Sequence, residues 1–479
     1  MTSGGLTPTR VKRVVSDSAY YGLAAVVAKA LALLTVPYLT RALSPDGFGA
    51  ADLATSTAAL LTLFAMFSGD IPAARSVGLT AVRREQQRAL SSYVYGTALV
   101  SLLVAGSLLV VSPLIAGIFW GASDLAGLAA LSMLLVPVSA IQAAIAQTLR
   151  IQRKARAFAG VSLVDLLAQL GLVVLLVSMG MGPAGVVIGF ILGSTLGIVV
   201  SGAAARQTLS VRPSWGITRE LISRGVPFLP YVTMFVVADW AMRSIVANSV
   251  GAVGVAEFGV ALRIASVLAL LSAAFAMAWG PLGLAKTQGV DSAREFGRTL
   301  TAFATVSIAT AFVLGAVGPE LVSIVTGPGY EGAALVLPGL ALAYAVAGTE
   351  YILVIAAGIS ERASRVALAS SSGAVVQILV ALVLVPQFGI AVIGPTALLG
   401  RSVSFILLMA GVRRSIATPV RWLVVGASVV AVSFVALQLA VGLDPLFTVA
   451  RWLFAAALAL VIVVRGADRL RRVSSVDVA

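Results

Sequence analysis

Apolar residues in this sequence come in long runs, and each run ends in a short cluster of charged residues, Gly or Pro. A hydrocarbon core of ~30 Å takes ~20 helical residues to cross, so each run is long enough for one membrane-spanning helix. The runs are apolar on every face. Barrel strands would instead alternate apolar and polar positions over ~10 residues. The breaks predict about fourteen helices, near residues 18–40, 50–70, 91–119, 125–149, 158–179, 184–205, 225–248, 254–283, 299–317, 333–357, 366–385, 390–411, 422–441 and 446–464.

Composition agrees with that pattern. The 479 residues are 59% hydrophobic and only 11% charged, against ~25% charged in soluble domains. The expected fold is an all-α polytopic integral membrane protein, multi-pass in the cell membrane. There is no Cys, which removes disulfides and thiolate metal sites, and no His, so proton handling falls to Asp or Glu. A net charge of +14 invites a nucleic-acid reading, but the basic residues are scattered among helix ends rather than gathered on one face. No nucleic acid is expected as a partner. Arg10, Lys12 and Arg13 precede a run too long for the core of a cleavable signal peptide.

Most of the 33 basic residues fall in alternate connections. They begin with the N-terminal cluster and continue through Arg75 to Arg88, Arg150 to Arg156, Arg206 to Arg224, Lys286 to Arg298, Arg362 and Arg365, Arg413 to Arg421, and Arg465 to Arg472. The intervening connections hold Asp46, Asp124, Glu320, Glu331 and Asp444, with Arg41 their one clear cation. The positive-inside rule therefore puts both termini in the cytoplasm. Unbroken alternation also requires an even number of helices.

The stretch YLTRALSPDGFG, from Tyr38, reads as an outward hairpin in which Pro37 bends the helix end and Gly47 and Gly49 permit a tight reversal and close helix approach. It recurs. A shift of about 207 residues lays it over the hairpin that includes GAVGVAEFG, places IQRKARAFA over ISERASRVA and Gln169 near Gln377, and aligns GPAGVVIG with FGIAVIGP. A shift spanning six helices preserves orientation, so the pattern predicts two parallel six-helix lobes, residues 1–210 and 211–415, followed by two further helices and a basic tail in 416–479.

The YLTRALSPDGFG hairpin, the basic IQRKARAFA loop, VPFLPY at the start of the seventh helix and the paired lobes resemble the polysaccharide biosynthesis flippases. These are Wzx-type exporters within the multidrug/oligosaccharidyl-lipid/polysaccharide (MOP) superfamily. The resemblance covers roughly the first 415 residues. It implies movement of an undecaprenyl-diphosphate-linked oligosaccharide from the inner to the outer leaflet by alternating access, without catalysis. It also implies contact with membrane lipids and with polysaccharide polymerase and export components. Lipid II flippases and cation-coupled multidrug exporters are the alternatives within the same superfamily. A membrane enzyme would need a large catalytic loop, and no connection is long enough for one.

A diphosphate headgroup needs a cationic path. A mid-helix Arg or Lys costs ~2.5–3.5 kcal/mol to insert, so each such cation must face water or a partner. Lys29, Arg243, Arg263 and Arg401 lie within predicted spans and are the expected substrate-binding ring, with the planar guanidinium suited to phosphate oxygens. The plainer expectation is pairing with Asp52, Asp165, Asp239, Glu257 or Glu350 to fix helix packing; Asp239 precedes Arg243 by one turn. Asp52 and Glu257 are expected at solvated helix ends, and Asp165 with Gln169 as a polar helix contact. Asp239, Asp165 and Glu350 are the deepest acids and the candidates for coupling to H⁺ or Na⁺; no metal or other cofactor is expected. Trp120 is expected as an interfacial anchor along with Tyr20, Tyr21, Trp422 and Trp452. The glycines from Gly182 to Gly197 suggest close packing, and GPGYEG, from Gly327, an outer turn without phosphate-loop features.

Overall fold

A computed structural model describes residues 26–412 except 28, 29, 32, 287–291, 357 and 358. Among these residues every regular element is helical. This is what apolar surroundings require, because a helix satisfies its own backbone donors and acceptors. The predicted spans 422–441 and 446–464 lie outside the described residues, as does most of 18–40.

After a helical segment over residues 33–42, the first part of the chain forms α1 (Pro45–Ala65), α2 (Asp70–Leu79), α3 (Arg83–Val110), α4 (Ser112–Phe119), α5 (Ala126–Ile151), α6 (Ala155–Ser178), α7 (Gly182–Ala204), α8 (Trp215–Gly225) and α9 (Leu229–Ser249). Then come α10 (Ala252–Ala265), α11 (Val267–Lys286), α12 (Ser292–Ala316), α13 (Gly318–Val325), α14 (Ala333–Ala356), α15 (Ile359–Phe388) and α16 (Ile393–Val412). Nine segments among the described residues are long and apolar enough to cross a membrane, and a bent pair, Trp215–Phe228 with Val232–Ser249, makes a tenth if taken as one span. One of the nine, Arg365–Gly411, contains 47 residues, twice a crossing length. It folds back at Gly389 (φ +65°), so that Gly373 of α15 meets the backbone of Gly400 in α16. The multi-pass membrane fold read from the apolar runs is present.

Element boundaries repeat. Pro45 and Ala252, which open α1 and α10, are 207 residues apart, as are Ala126 and Ala333, which open α5 and α14. Ser112–Phe119 and Gly318–Val325 match at 206. The described residues group into two compact units divided between Val255 and Ala256. This contact boundary differs in kind from the repeat boundary near residue 210: by offset α8 and α9 belong to the second copy, yet they pack within the first unit.

Glycine spacing explains the hairpins. In the first unit, Gly185, Gly189, Gly193 and Gly197 form a stripe on α7, and a Cβ at any of them would meet α6 at Leu176, Val173, Gln169 and Asp165 in turn. The small-residue stretch read as a packing face is one. At the first hairpin the structure corrects the expected turn: α1 already begins at Pro45, with Ser44 Oγ accepting from Gly47 N–H at 3.1 Å. Gly47 and Gly49 are therefore helical. Gly49 serves close approach instead, since a Cβ there would fall on the Ala252 carbonyl.

The predicted span 50–70 is broken. Phe67 and Ser68 take positive φ (43° and 49°) between α1 and α2, a conformation disfavoured for residues with side chains. The break meets another: a Cβ on Gly225, where α8 gives way to α9, would strike the Phe67 carbonyl. α8 is tied to α3 by Ser214 N–H to Ser92 Oγ at 2.9 Å and Thr218 Oγ1 to the Ser92 carbonyl at 3.0 Å. Phe67 and Tyr93, edge to face at 6.1 Å, fill the core beneath together with Leu90, Leu149 and Leu221.

Candidate functional site

In the first unit, Arg243 projects from the middle of α9 toward α1. Its Nε donates to Asp52 Oδ2 at 2.7 Å and its Nη1 to the backbone carbonyl of Asp239 at 3.0 Å. The two side chains are 9% and 3% exposed. Asp52 is thus not at a solvated helix end, as its position near the hairpin suggested, but buried against α9. It lies 191 residues from its partner, and no local pattern connects the two. One turn away on each helix, Trp240 Nε1 donates to Thr57 Oγ1 at 2.9 Å, and further along α9 Ser244 Oγ donates to the Phe119 carbonyl at 2.7 Å. Trp120, expected as an interfacial anchor, is only 2% exposed and so is buried inside the protein instead.

Asp165 accepts from Gln169 Nε2 at 3.1 Å, and the same amide donates to Ser194 Oγ on α7 at 3.1 Å. The polar helix contact expected of Asp165 and Gln169 is present. Gln142 of α5 closes on the same spot, since both it and Asp165 crowd the position where a Cβ on Gly197 would sit.

The second unit holds the counterpart. Gln377 of α15 packs against Gly400 of α16, as Gln169 packs against Gly193, at offsets of 208 and 207 residues. At the same offsets Glu350 replaces Gln142 and Arg401 replaces Ser194. At these two positions the first copy is neutral where the second is charged, while Asp165 of the first copy has Gly373 at the same offset. Arg401 Nη1 stands 3.5 Å from Glu350 Oε2, with side chains 22% and 10% exposed. This is a longer and wetter contact than that of Arg243. No acid close to Arg401 in sequence announced it.

Arg263, half-buried on α10, lies near the buried Tyr330, whose hydroxyl is pushed up to about 12 by burial while the Arg263 charge opposes the shift. The GPGYEG turn carrying Tyr330 is held at both ends. Gly332 N–H donates to Glu257 Oε1 at 2.9 Å, and Gly329 N–H donates to Glu331 Oε1 at 3.0 Å, which holds the Glu331 carboxyl below the usual range. Asp239 and Glu350 lie on α9 and α14 respectively, and Lys29 lies outside the described residues. Among the described residues no group of three or more acids is arranged to hold a metal ion.

Solved structures share this architecture. The lipid II flippase MurJ in an inward closed conformation matches with a TM-score of 0.68 at 14% identity, over 94% of this chain and 98% of that one. An outward-facing multidrug resistance MATE family transporter of the MOP superfamily matches with a TM-score of 0.53 at 15% identity, over 87% of this chain and 96% of that one. The fold is shared with these two proteins. A family model described as polysaccharide biosynthesis protein matches residues 14–284, more than half of the sequence, and the chain belongs to that family. No curated protein matches it significantly.

Proposed function

We propose that this protein moves an undecaprenyl-diphosphate-linked oligosaccharide across the cell membrane, from the cytoplasmic to the outer leaflet, by alternating access and without catalysing a reaction. The observation that carries the reading is Arg401. It sits near the middle of α16, roughly 12 Å from the helix start at 1.5 Å per residue, and its guanidinium is partly exposed beside Glu350, with Nη1 at 3.5 Å from Oε2. A partly exposed guanidinium at that depth suits a diphosphate, whose oxygens match the planar fork. Lys29 and Arg263 are the further cations that the sequence offers to such a headgroup. Arg243 shares in it through a side chain already oriented by Asp52.

Membership of the polysaccharide biosynthesis family supports a glycan cargo over a drug. A lipid II flippase shares the fold, and a peptidoglycan precursor carries the same diphosphate, so the two cargoes differ in sugar and not in the chemistry at Arg401. Asp165, Asp239 and Glu350 are the groups through which H⁺ or Na⁺ would drive the cycle, and polysaccharide polymerase and export components are the partners that would take the product.

Export of lipid-linked glycan in cells, measured beside the amount of protein in the membrane, tests the reading. Lys29→Ala and Arg401→Ala should each abolish export with protein levels maintained. Normal export in both variants would refute the cationic path.

A further inference from the structure

α8 (Trp215–Gly225) has 11 residues, roughly 16 Å at 1.5 Å per residue and about half of what a crossing needs. The stretch Trp215–Phe228 that contains it is bent by 64° from Val232–Ser249 in α9, so α8 lies well off the direction of the helix that crosses. Its surroundings, Arg206 to Arg224, are among the clusters that the positive-inside rule assigns to the cytoplasm, which sets α8 at the inner surface of the bilayer. The helix has three faces. Thr218, Leu221 and Gly225, at i, i+3 and i+7, are buried: Thr218 Oγ1 donates to the Ser92 carbonyl, Leu221 joins the core and Gly225 lies against the Phe67 carbonyl. On a second face Glu220 and Arg224 are exposed and paired with each other at 2.9 Å. The third face holds Trp215, Arg219 and Ile222 and continues to Val226 just past the helix, at i, i+4, i+7 and i+11; Trp215 is 64% exposed and Val226 45%.

Neither water nor hydrocarbon alone suits the third face. An exposed indole is out of place in water but at home at a membrane boundary, where its ring meets acyl chains and its N–H meets headgroups. Arg219, in the middle of that face, is costly to bury in acyl chains alone. Arg212, three residues before Trp215, adds a second cation that the protein holds in position. The Val211 carbonyl accepts from Ser91 Oγ at 2.7 Å and Ser214 N–H donates to Ser92 Oγ at 2.9 Å, so the chain on both sides of Arg212 is fastened to α3. Both guanidiniums are exposed, and among the described residues neither has a carboxylate partner, since Glu220 is taken by Arg224. The positive-inside rule explains why arginines are on this side, but not why Arg219 shares a face with Trp215, Ile222 and Val226. Apolar side chains and unpaired cations together fit a surface that is apolar beneath and anionic above.

We infer that α8 is a docking helix for the cytoplasmic leaflet, on which Arg212 and Arg219 bind the phosphate groups of anionic phospholipids while Trp215, Ile222 and Val226 enter the boundary between headgroups and acyl chains. The partner is the bilayer and not the cargo, so the inference stands on the membrane fold and goes beyond the flippase reading. The site has leverage. α8 leads through Gly225, seated on the break between α1 and α2, into α9 with its Arg243, and bound lipid steadies that junction.

The test titrates the delipidated full-length protein with dioleoylphosphatidylglycerol or dioleoylphosphatidylcholine and counts bound lipid by native mass spectrometry. Wild type should bind the first phosphatidylglycerol about tenfold more tightly than phosphatidylcholine, the effect of two arginines at an anionic surface. Arg212→Gln/Arg219→Gln should bring the two lipids to within about twofold of each other, with unchanged phosphatidylcholine binding as the sign of an intact fold. Arg153→Gln/Lys154→Gln, which removes the same charge from another cytoplasmic connection, should leave the preference in place. Because the chain has no Cys, a nitroxide attached at Val226→Cys reports depth: in phosphatidylglycerol vesicles oxygen should relax it more than an aqueous nickel chelate does, and the reverse should hold at Glu220→Cys. No preference in wild type, a preference kept by the Arg212/Arg219 variant, equal loss in both double variants, or a Val226 label open to the chelate would each overturn the docking helix and leave the flippase reading intact.

Discussion

Arg243 and Arg401 show how differently two intramembrane cations can be held. The Arg243–Asp52 contact is short and almost dry. Removing one partner from such a pair leaves the other as an uncompensated buried charge, at a cost of about 3–5 kcal/mol, whereas replacing both by apolar groups of similar size is far milder. Asp52→Ala should therefore lower the thermal unfolding midpoint more than the double variant Asp52→Ala/Arg243→Met, as read by melting in detergent. Additive losses would mean that the pair is not coupled. The existence of these charges was legible in the sequence, because an Arg inside an apolar run stands out. Their partners were not. Asp52 lies 191 residues from Arg243 and Glu350 lies 51 from Arg401, distances at which only tertiary packing decides contact.

At the scale of elements, apolar runs located several helices to within a few residues, the span expected at 125–149 being Ala126–Ile151, but missed polar first turns, since α12 begins at Ser292 and not near 299, and α15 at Ile359 and not near 366. Reading failed at breaks it ran straight through: Gly69, Asp70 and Pro72 follow the end of α1 and Pro113 the end of α3, yet the expected spans continued to 70 and 119. Phe67 and Ser68 take a left-handed backbone there, and the Phe67 carbonyl lies where a Cβ on Gly225 would fall. Glycine in the helices, by contrast, was informative, and its role can be separated from mere composition. A Cβ at Gly193 would fall 2.5 Å from the Gln169 Cα, while one at Gly202, on the same helix, meets nothing within 4 Å. Gly193→Ala should lower the midpoint of thermal unfolding, by an amount in the ~1–3 kcal/mol range of overpacking, and Gly202→Ala should leave it unchanged or raise it slightly. Gly400→Ala, whose Cβ would fall 2.7 Å from the Gln377 Cβ, should behave like Gly193→Ala. Equal effects at Gly193 and Gly202 would remove the packing account of the stripe.

Across the whole molecule the duplication was visible as a shared offset, and the structure carries the same offset in its helix starts. What the offset alone did not reveal is that the two copies have diverged at their polar sockets, neutral at Gln142 and Ser194, charged at Glu350 and Arg401. If Asp165, Asp239 or Glu350 drives the cycle, glycan movement in proteoliposomes should accelerate under an imposed H⁺ or Na⁺ gradient, and indifference to both gradients would remove coupling. The Glu350–Arg401 pair also bears on how the protein meets the electric field of a living membrane. A lone charge carried across 100 mV gains or loses about 2.3 kcal/mol, whereas a guanidinium and a carboxylate travelling side by side gain nothing. As long as Glu350 accompanies Arg401, the voltage neither resists nor assists movement of that pair; in a Glu350→Gln variant the Arg401 charge would feel the membrane potential at every step.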